Sequence, residues 1–252
     1  MKKIRDGLRM VCLFIRLVFE MIKNYPSLND DLKNNFYICK KICQKVVQSA
    51  KIQLTLCSPE NLGNVEPFLL VSNHRCFFDV VFLLAAVEKP ISFVAAKELF
   101  SYPILRKYLA SIRCVMLDRS TKQLSKIKED VANMKVALAG GNLVLFPEGE
   151  CSYFSKQMRK FKKGGFVCVS ELGAFIVPAF IQIREIHNIG RWMIPQGEVT
   201  VYFGKGFYPN EIADTRISGA RLATYAQKKV AELQERAESE DKNFFCKNYT
   251  KM

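Results

Sequence analysis

The chain has 252 residues, 49% of them hydrophobic, enough for one large α/β domain or two small ones with a true core, which excludes disorder as the main state. Thirty-eight Lys and Arg against 24 Asp and Glu give a formal net charge of +14, a balance suited to an anionic partner: a membrane surface, a nucleic acid, a phosphorylated substrate or an acidic carrier protein. Nine cysteines, an odd count with no C-x-x-C pair, argue against a disulfide framework and for a reducing cytosol.

The N-terminus, "MKKIRDGLRMVCLFIRLVFEMIKNY", opens like a signal peptide, but Arg16 and Glu20 interrupt its apolar run and no small-x-small site follows, so secretion is not expected. It is also too short and too charged for a good membrane span, which needs about 20 apolar residues. Read as a helix, it puts Ile4, Leu8, Val11, Ile15, Val18 and Ile22 on one stripe and Arg5, Arg9, Arg16, Glu20 and Lys23 on another. After "NYPSLNDD", where Ser27 or Asn29 is a candidate cap, a second helix carries Leu32, Phe36, Cys39, Cys43, Val46 and Ala50 on its stripe, with Lys33, Lys40, Lys41 and Lys45 off it. Cys39 and Cys43 lack a nearby His to complete a zinc set and read as small buried hydrophobes, so no metal is expected. Two basic amphipathic helices joined by a Pro-containing turn suit a membrane interface with anionic lipid; the alternative is that both pack on the main domain. Met10, Phe14, Leu17 and Met21, apolar but off the first stripe, favour lipid.

From about residue 51 short β-rich runs alternate with helical ones. "IQLTLC", "PFLLVSN", "ISFVAA", "RCVMLD", "NLVLFP", "AFIVPAFIQI" and "EVTVYFG" read as strands, and 79–88, 121–139 and 218–236 as helices. The alternation implies an α/β fold with a largely parallel sheet flanked by helices and preceded by the two-helix motif. The expected organisation is a membrane-interface motif over 1–50, an α/β domain over 51–240 and a flexible tail over 241–252.

Three polar clusters follow strand-like runs: "SNHRCFFD" after "PFLLV", "DRS" after "RCVML" and "PEGECS" after "NLVLF". In a parallel sheet all three converge on one edge, where ligand chemistry gathers. Strand ends are followed by polar turns in any protein, but a His, four acids, two Arg and a Gly together weigh against that explanation. His74 and Asp79 are five residues apart, roughly 500° of rotation on an ideal helix and about 140° off a common face. A turn between strand and helix would instead fold the carboxylate onto the imidazole. Such a pair fixes the ring tautomer and leaves the other nitrogen to take a proton from a hydroxyl. The competing explanation is a buried polar His beside a helix-capping Asp. The sequence holds no G-x-S-x-G elbow and no phosphate-binding G-x-x-x-x-G-K-[ST] loop. His187 in "REIHNIGRW" has no evident partner and reads as structural.

N-H-x4-D at 73–79, "MLDRS" at 116–120, "FPEG" at 146–149 and "VPAF" at 177–180 together resemble the four motif blocks of the glycerolipid acyltransferases, of which the 1-acylglycerol-3-phosphate acyltransferases are best known. The likeness spans roughly 65 to 205, and "AAKELF" and "FKKGG" resemble further stretches common in that family. It implies His74 as general base and Asp79 as its orienter, with an acyl-CoA or acyl carrier protein thioester as co-substrate and no other cofactor. The acceptor hydroxyl of a lysophospholipid would attack the thioester directly, without an acyl-enzyme. Arg119 and Lys97 would hold the acceptor's phosphate, and Glu148 and Gly149 would shape its site; cations suit that task because charge-assisted bonds to phosphate are short and strong. The implied place is the cytoplasmic face of the cell membrane, peripheral or monotopic, in phospholipid biosynthesis. Where the family commonly has F-P-E-G-T-R-S this chain reads "FPEGECS", so Glu150 replaces the Thr and Cys151 an Arg expected at phosphate. That exchange disfavours a dianionic phosphate unless Lys156, Arg159, Lys160, Lys162 and Lys163 compensate. It leaves open another lysophospholipid or lipid acceptor, or a catalytically silent membrane-binding protein. Nucleic acid is not expected, because the basic residues follow amphipathic helices rather than a groove with interleaved aromatics.

Overall fold

All five residues of strand β2 (Phe68–Ser72) are buried, with Phe68 and Leu70 in one apolar core and Leu69 and Val71 in another. Successive side chains of a strand point to opposite faces, so β2 must lie inside a sheet covered on both sides. The computed structural model describes residues 2–63, 65–121, 123–152, 157–189, 192–213, 217–239 and 246–248. Helices α1 (Lys2–Asn24) and α2 (Leu32–Ser49) come first, then β1 (Gln53–Cys57), β2, α3 (Phe78–Ala86), β3 (Ile91–Ala96), α4 (Pro103–Ser111), β4 (Val115–Leu117), α5 (Leu124–Ala139) and β5 (Asn142–Leu145). There follow α6 (Gly164–Leu172), the long strands β6 (Phe175–Ile189) and β7 (Trp192–Phe203), α7 (Gly219–Glu238) and the short β8 (Cys246–Asn248).

The sheet order is β4-β3-β5-β2-β6-β7-β1-β8. Strands β4, β3, β5, β2 and β6 are mutually parallel; β7 turns back antiparallel to β6, β1 runs parallel to β7, and β8 is antiparallel to β1. The expected α/β class with a largely parallel sheet is therefore what forms. One face is covered from α1 to α4, the other from α5 to α7. Since β2, β5, β3 and β4 run the same way, the polar clusters that follow them meet at one edge.

Several local expectations need correction. The cap of α2 is Asp31, whose Oδ1 accepts from Lys33 N at 2.9 Å, because it immediately precedes the first helical residue in an extended conformation. Asn29 serves one step back, accepting from Asp31 N at 2.9 Å. Lys40, read from its spacing as a polar-face residue, is buried, and its ammonium reaches Ala85 O, Val87 O and Glu88 at the C-terminus of α3. Helix ends leave carbonyls without partners, so a cation there satisfies them. Helices α4 and α6 lay outside the expected elements. The two glycines that open α6 argue against a helix, yet a Cβ at Gly165 would stand 2.5 Å from Leu145 Cδ2, so close packing of α6 on β5 requires its absence.

Helix α1 has two apolar faces. Leu13 and Met21 are buried and Leu17 packs beside them, while Val11, Ile15, Val18, Phe19 and Ile22 lie exposed on roughly the opposite face. Of the residues read as off-stripe, Leu17 and Met21 pack on the domain and Phe14, though exposed, meets the Phe77 ring at 6.0 Å, while the side chain of Met10 lies outside those described. Glu20, expected on the polar side, is buried with them, 2.8 Å from Lys45 and 3.1 Å from Arg16. No helix among the described residues is long and apolar enough to cross a membrane. In the expected tail, 246–248 form β8, and the other residues lie outside those described. Cys57 departs from the expectation of free thiols: it is disulfide-bonded, and it faces Cys246 in the β1–β8 ladder. The side chain of His187 and all of Lys156 lie outside the described residues.

Candidate active site

At the end of β2 the chain is tied to β6 by Asn73, which donates to Ile181 O at 3.0 Å and accepts from Ile181 N at 2.7 Å. The next residue is His74, and the chain turns before α3 begins at Phe78. Asp79, in the first turn of that helix, is wholly buried. Its Oδ2 accepts from Arg75 N at 2.6 Å, Cys76 N at 2.9 Å and His74 Nδ1 at 2.8 Å. The turn thus closes the five-residue gap, and a carboxylate at a helix N-terminus is favoured by the helix dipole. The bonds to backbone N–H fix the carboxylate, and the carboxylate fixes the ring.

The loop after β5 holds the backbone of His74 from both sides. Glu148, buried, accepts from His74 N at 2.8 Å through one oxygen and from Arg159 N at 2.9 Å through the other. Ser152 donates to His74 O from its backbone N at 2.8 Å and from its hydroxyl at 3.0 Å. The Phe146 ring stacks on the imidazole, centroids 4.2 Å apart. Burial alone would lower the His74 pKa, but the hydrogen bonds to Asp79 and Cys151 and the associated charge outweigh it and raise it to about 10. Burial raises the Glu148 carboxyl above its ordinary range, against the pull of its two N–H donors.

The second ring nitrogen, Nε2, has a sulfur partner: Cys151 Sγ is 3.1 Å away. Before it stand Gly149, whose φ of +76° favours glycine, and Glu150, which pairs with Arg159 at 2.7 Å. Arg119, after β4, donates to Gly149 O at 2.5 Å. His74, Arg119, Gly149, Glu150, Cys151 and Arg159 all line one cavity of about 600 Å³. Its depth is apolar, with Leu17 and Met21 from α1, Ile42 from α2, Leu84 from α3, Phe93 from β3 and Leu105 from α4. A polar mouth over an apolar interior of that size suits an amphipathic ligand.

Of the residues singled out from sequence, His74, Asp79, Arg119, Glu148 and Gly149 come together here, Asp79 and Glu148 as buried supports. Lys97 does not line this cavity. It belongs to a second one at the β3–β4 edge, where its ammonium sits 2.7 Å from Asp118 and 3.3 Å from the Ser120 hydroxyl. The Lys97 hydrogen bond, with help from Ser120, holds the Asp118 carboxyl well below the usual carboxylate range. Sequence reasoning passed over Ser152 and Phe146 as partners of His74, and over the contact from Cys151. Only the position of Cys151, next to an otherwise familiar "FPEG", was a signal.

Residues 53–182 match the model of the Acyltransferase family. Among curated proteins, the chain is 33% identical over 137 residues to a 1-acyl-sn-glycerol-3-phosphate acyltransferase of Saccharomyces cerevisiae, covering 52% of this chain and 43% of that one. It is 33% identical over 139 residues to a lyso-ornithine lipid O-acyltransferase of Brucella abortus, covering 51% and 50%. The chain therefore spans about half or less of the length of these two relatives. Among solved structures it resembles the 1-acyl-sn-glycerophosphate acyltransferase PlsC of Thermotoga maritima, with a TM-score of 0.73, 20% identity and coverage of 93% of this chain and 97% of that one. At that identity the likeness speaks for the fold.

Proposed function

This chain belongs to the acyltransferase family, and from that premise we propose that it moves a fatty acyl chain from an acyl-CoA or acyl carrier protein thioester to the hydroxyl of a lysophospholipid. The acceptor we favour is 1-acylglycerol-3-phosphate, giving phosphatidic acid in phospholipid biosynthesis. The observation that carries this reading is one cavity of about 600 Å³ with His74, backed by the buried Asp79, at its polar mouth and apolar side chains lining its depth.

In this mechanism the acyl chain lies in the apolar depth and its carbonyl reaches the mouth beside His74. In its neutral form, the minor one near neutral pH given its raised pKa, His74 takes at Nε2 the proton of the hydroxyl that becomes acylated and returns it to the departing thiolate. Asp79, bonded to Nδ1, sets the tautomer and stabilises the imidazolium as it forms. General base help of this kind contributes about 10²–10⁴-fold. Glu148 and Ser152 act on the backbone of His74 rather than on substrate. Arg119 and Arg159 are the cations at the mouth, and we assign the acceptor's phosphate to them, with Lys97 nearer the sheet edge.

One observation favours a second acceptor class. Glu150 lines the same mouth and engages Arg159 at 2.7 Å, which places a carboxylate where a dianionic phosphate would bind. A relative named for acylating lyso-ornithine lipid makes a lysolipid without a phosphate monoester the alternative to test. The division into an interfacial helix pair over 1–50 and a catalytic unit from 51 to 240 is part of the same proposal.

The test is thioester consumption by purified protein on vesicles, with acyl-CoA and acyl carrier protein donors in parallel and a panel of lysolipids as acceptors. Transfer lost in His74→Ala, with the circular dichroism of the folded chain unchanged, supports the reading. A wild-type protein that consumes no thioester with any acceptor refutes it and leaves a silent membrane-binding protein on this fold.

A further inference from the structure

A thiol stands on the nitrogen that a direct mechanism needs unoccupied. Cys151 Sγ is 3.1 Å from His74 Nε2, and His74 Nδ1 is 2.8 Å from Asp79 Oδ2. Thiol, imidazole and carboxylate are thereby aligned in the order that activates a cysteine nucleophile: a base within hydrogen-bond reach, oriented by a third group. Cys151 also lines the cavity assigned to the acyl chain. By contrast, Cys39, Cys43 and Cys168 are buried, and burial pushes their thiol pKa values up, while the buried Cys76 donates to Asp79 Oδ1 at 3.6 Å rather than to a histidine.

We propose that Cys151 is a catalytic nucleophile, and that transfer in this chain runs through an S-acyl-Cys151 intermediate rather than by direct attack of the acceptor on the donor. The inference rests on the reading above, that the donor is an acyl thioester. In the first half, starting from the neutral form of the ring, Cys151 Sγ attacks the thioester carbonyl carbon while its proton passes to His74 Nε2. The new Sγ–acyl bond forms as the donor's carbon–sulfur bond breaks, and the departing thiolate takes the proton from Nε2 and leaves as a free thiol. One thioester replaces another, so no oxidant or reductant is involved. In the second half, an acylated sulfur has no proton to share, and Nε2 is released to deprotonate the acceptor hydroxyl. The hydroxyl oxygen attacks the acyl carbon, the ester bond forms, and Sγ leaves as thiolate and regains its proton from His74.

The geometry also accounts for the exchange in "FPEGECS". An arginine at 151 would bring a cation to the mouth but no nucleophile, whereas cysteine gives up the cation and supplies one. Direct attack is the route the family resemblance implies, and in the resting site the thiol occupies its base.

The experiment incubates the full chain with palmitoyl-CoA without acceptor and reads intact mass, peptide mapping and exchange of labelled CoA into palmitoyl-CoA. Acyl transfer to the lysolipid panel is assayed on the same preparation. Expected are a mass gain of one palmitoyl group on the Cys151 peptide, its release by neutral hydroxylamine or by a productive lysolipid, and CoA exchange without acceptor. Cys151→Ala and His74→Ala should lose both adduct and exchange, with thermal melting confirming that each variant is folded. Cys151→Ser, isosteric with the native thiol, keeps the test valid if the alanine variant misfolds.

Transfer by wild type with no adduct and no exchange overturns the covalent route and leaves the acyltransferase reading standing. So does transfer at the wild-type rate by Cys151→Ala. An adduct on other cysteines, or one formed as fast in His74→Ala, marks chemical acylation and equally overturns the proposal. If neither adduct nor transfer appears with any acceptor, both readings fall.

Discussion

His74 is held by partners on three sides, and the sign of its pKa shift follows from them. Asp79 and Cys151 favour the imidazolium strongly enough to overcome burial, so the ring is expected to titrate at about 10 in the folded chain, against 6.5 for an unperturbed histidine. The sequence has only two histidines, so carbon- or nitrogen-detected NMR of labelled His can follow this one directly. Asp79→Asn should lower the midpoint most, because the bond to Asp79 is the larger support, and Cys151→Ala should lower it by less. A His74 midpoint near 6.5 in wild type would contradict the arrangement. The same shift is linked to folding. With the folded pKa raised, the ring's contribution to stability is full below about pH 6.5 and is lost as pH rises through about 10. Denaturant midpoints of wild type should therefore fall between pH 6 and pH 10 by more than those of Asp79→Asn.

The loop between β5 and α6 does for the backbone of His74 what Asp79 does for its ring. Glu148→Ala removes the acceptor for the His74 N–H, and a buried donor left without a partner costs about 1–3 kcal/mol. For a chain of this size that corresponds to a fall in Tm of roughly 2–4 °C per kcal/mol. Activity should fall by more than the loss of stability explains, because the imidazole shifts with its backbone. Calorimetry and thioester consumption on the same sample check both, and an intact rate beside a lowered Tm would confine Glu148 to stability. Ser152→Ala should be milder, since Ser152 N still donates to His74 O when the hydroxyl is gone.

These elements also mark what sequence could and could not reveal. Strands β1 to β5 were legible because each is a short apolar run ended by a polar turn, and the convergence of "NHRCFFD", "DRS" and "PEG" follows from their parallel direction. The pairing of His74 with Asp79 followed from spacing and a turn. The clamp by Glu148 and Ser152 was not legible, because contacts across 74 and 78 residues leave no local pattern. Helix α6 stayed hidden behind two glycines, of which Gly165 is needed for packing on Leu145, and the buried roles of Glu20 and Lys40 run against the polarity that periodicity assigns them.

At the scale of the whole molecule, two features with different salt dependence should act together on a membrane. The formal charge of +14 attracts anionic lipid over a distance set by the Debye length, about 8–10 Å near physiological salt and 3 Å at 1 M. The exposed face of α1 adds a contribution that salt does not screen, since Ile15 is 63% and Phe19 56% exposed beside Val11, Val18 and Ile22. Its other face, through Leu17 and Met21, forms part of the cavity wall, so the helix proposed to meet lipid would also border the acyl chain. Co-sedimentation with vesicles separates these contributions. Wild type should bind anionic vesicles more tightly than neutral ones at low salt, and the difference should vanish towards 1 M salt while a common residual affinity persists. Ile15→Glu with Phe19→Glu should remove that residual while leaving Tm within a degree or two, because neither side chain is in the core. Leu17→Glu should instead lower Tm, because that side chain packs on it. Residual binding unchanged in the double variant would mean that α1 is not the surface that meets the bilayer, and that its exposed apolar face serves a protein contact instead.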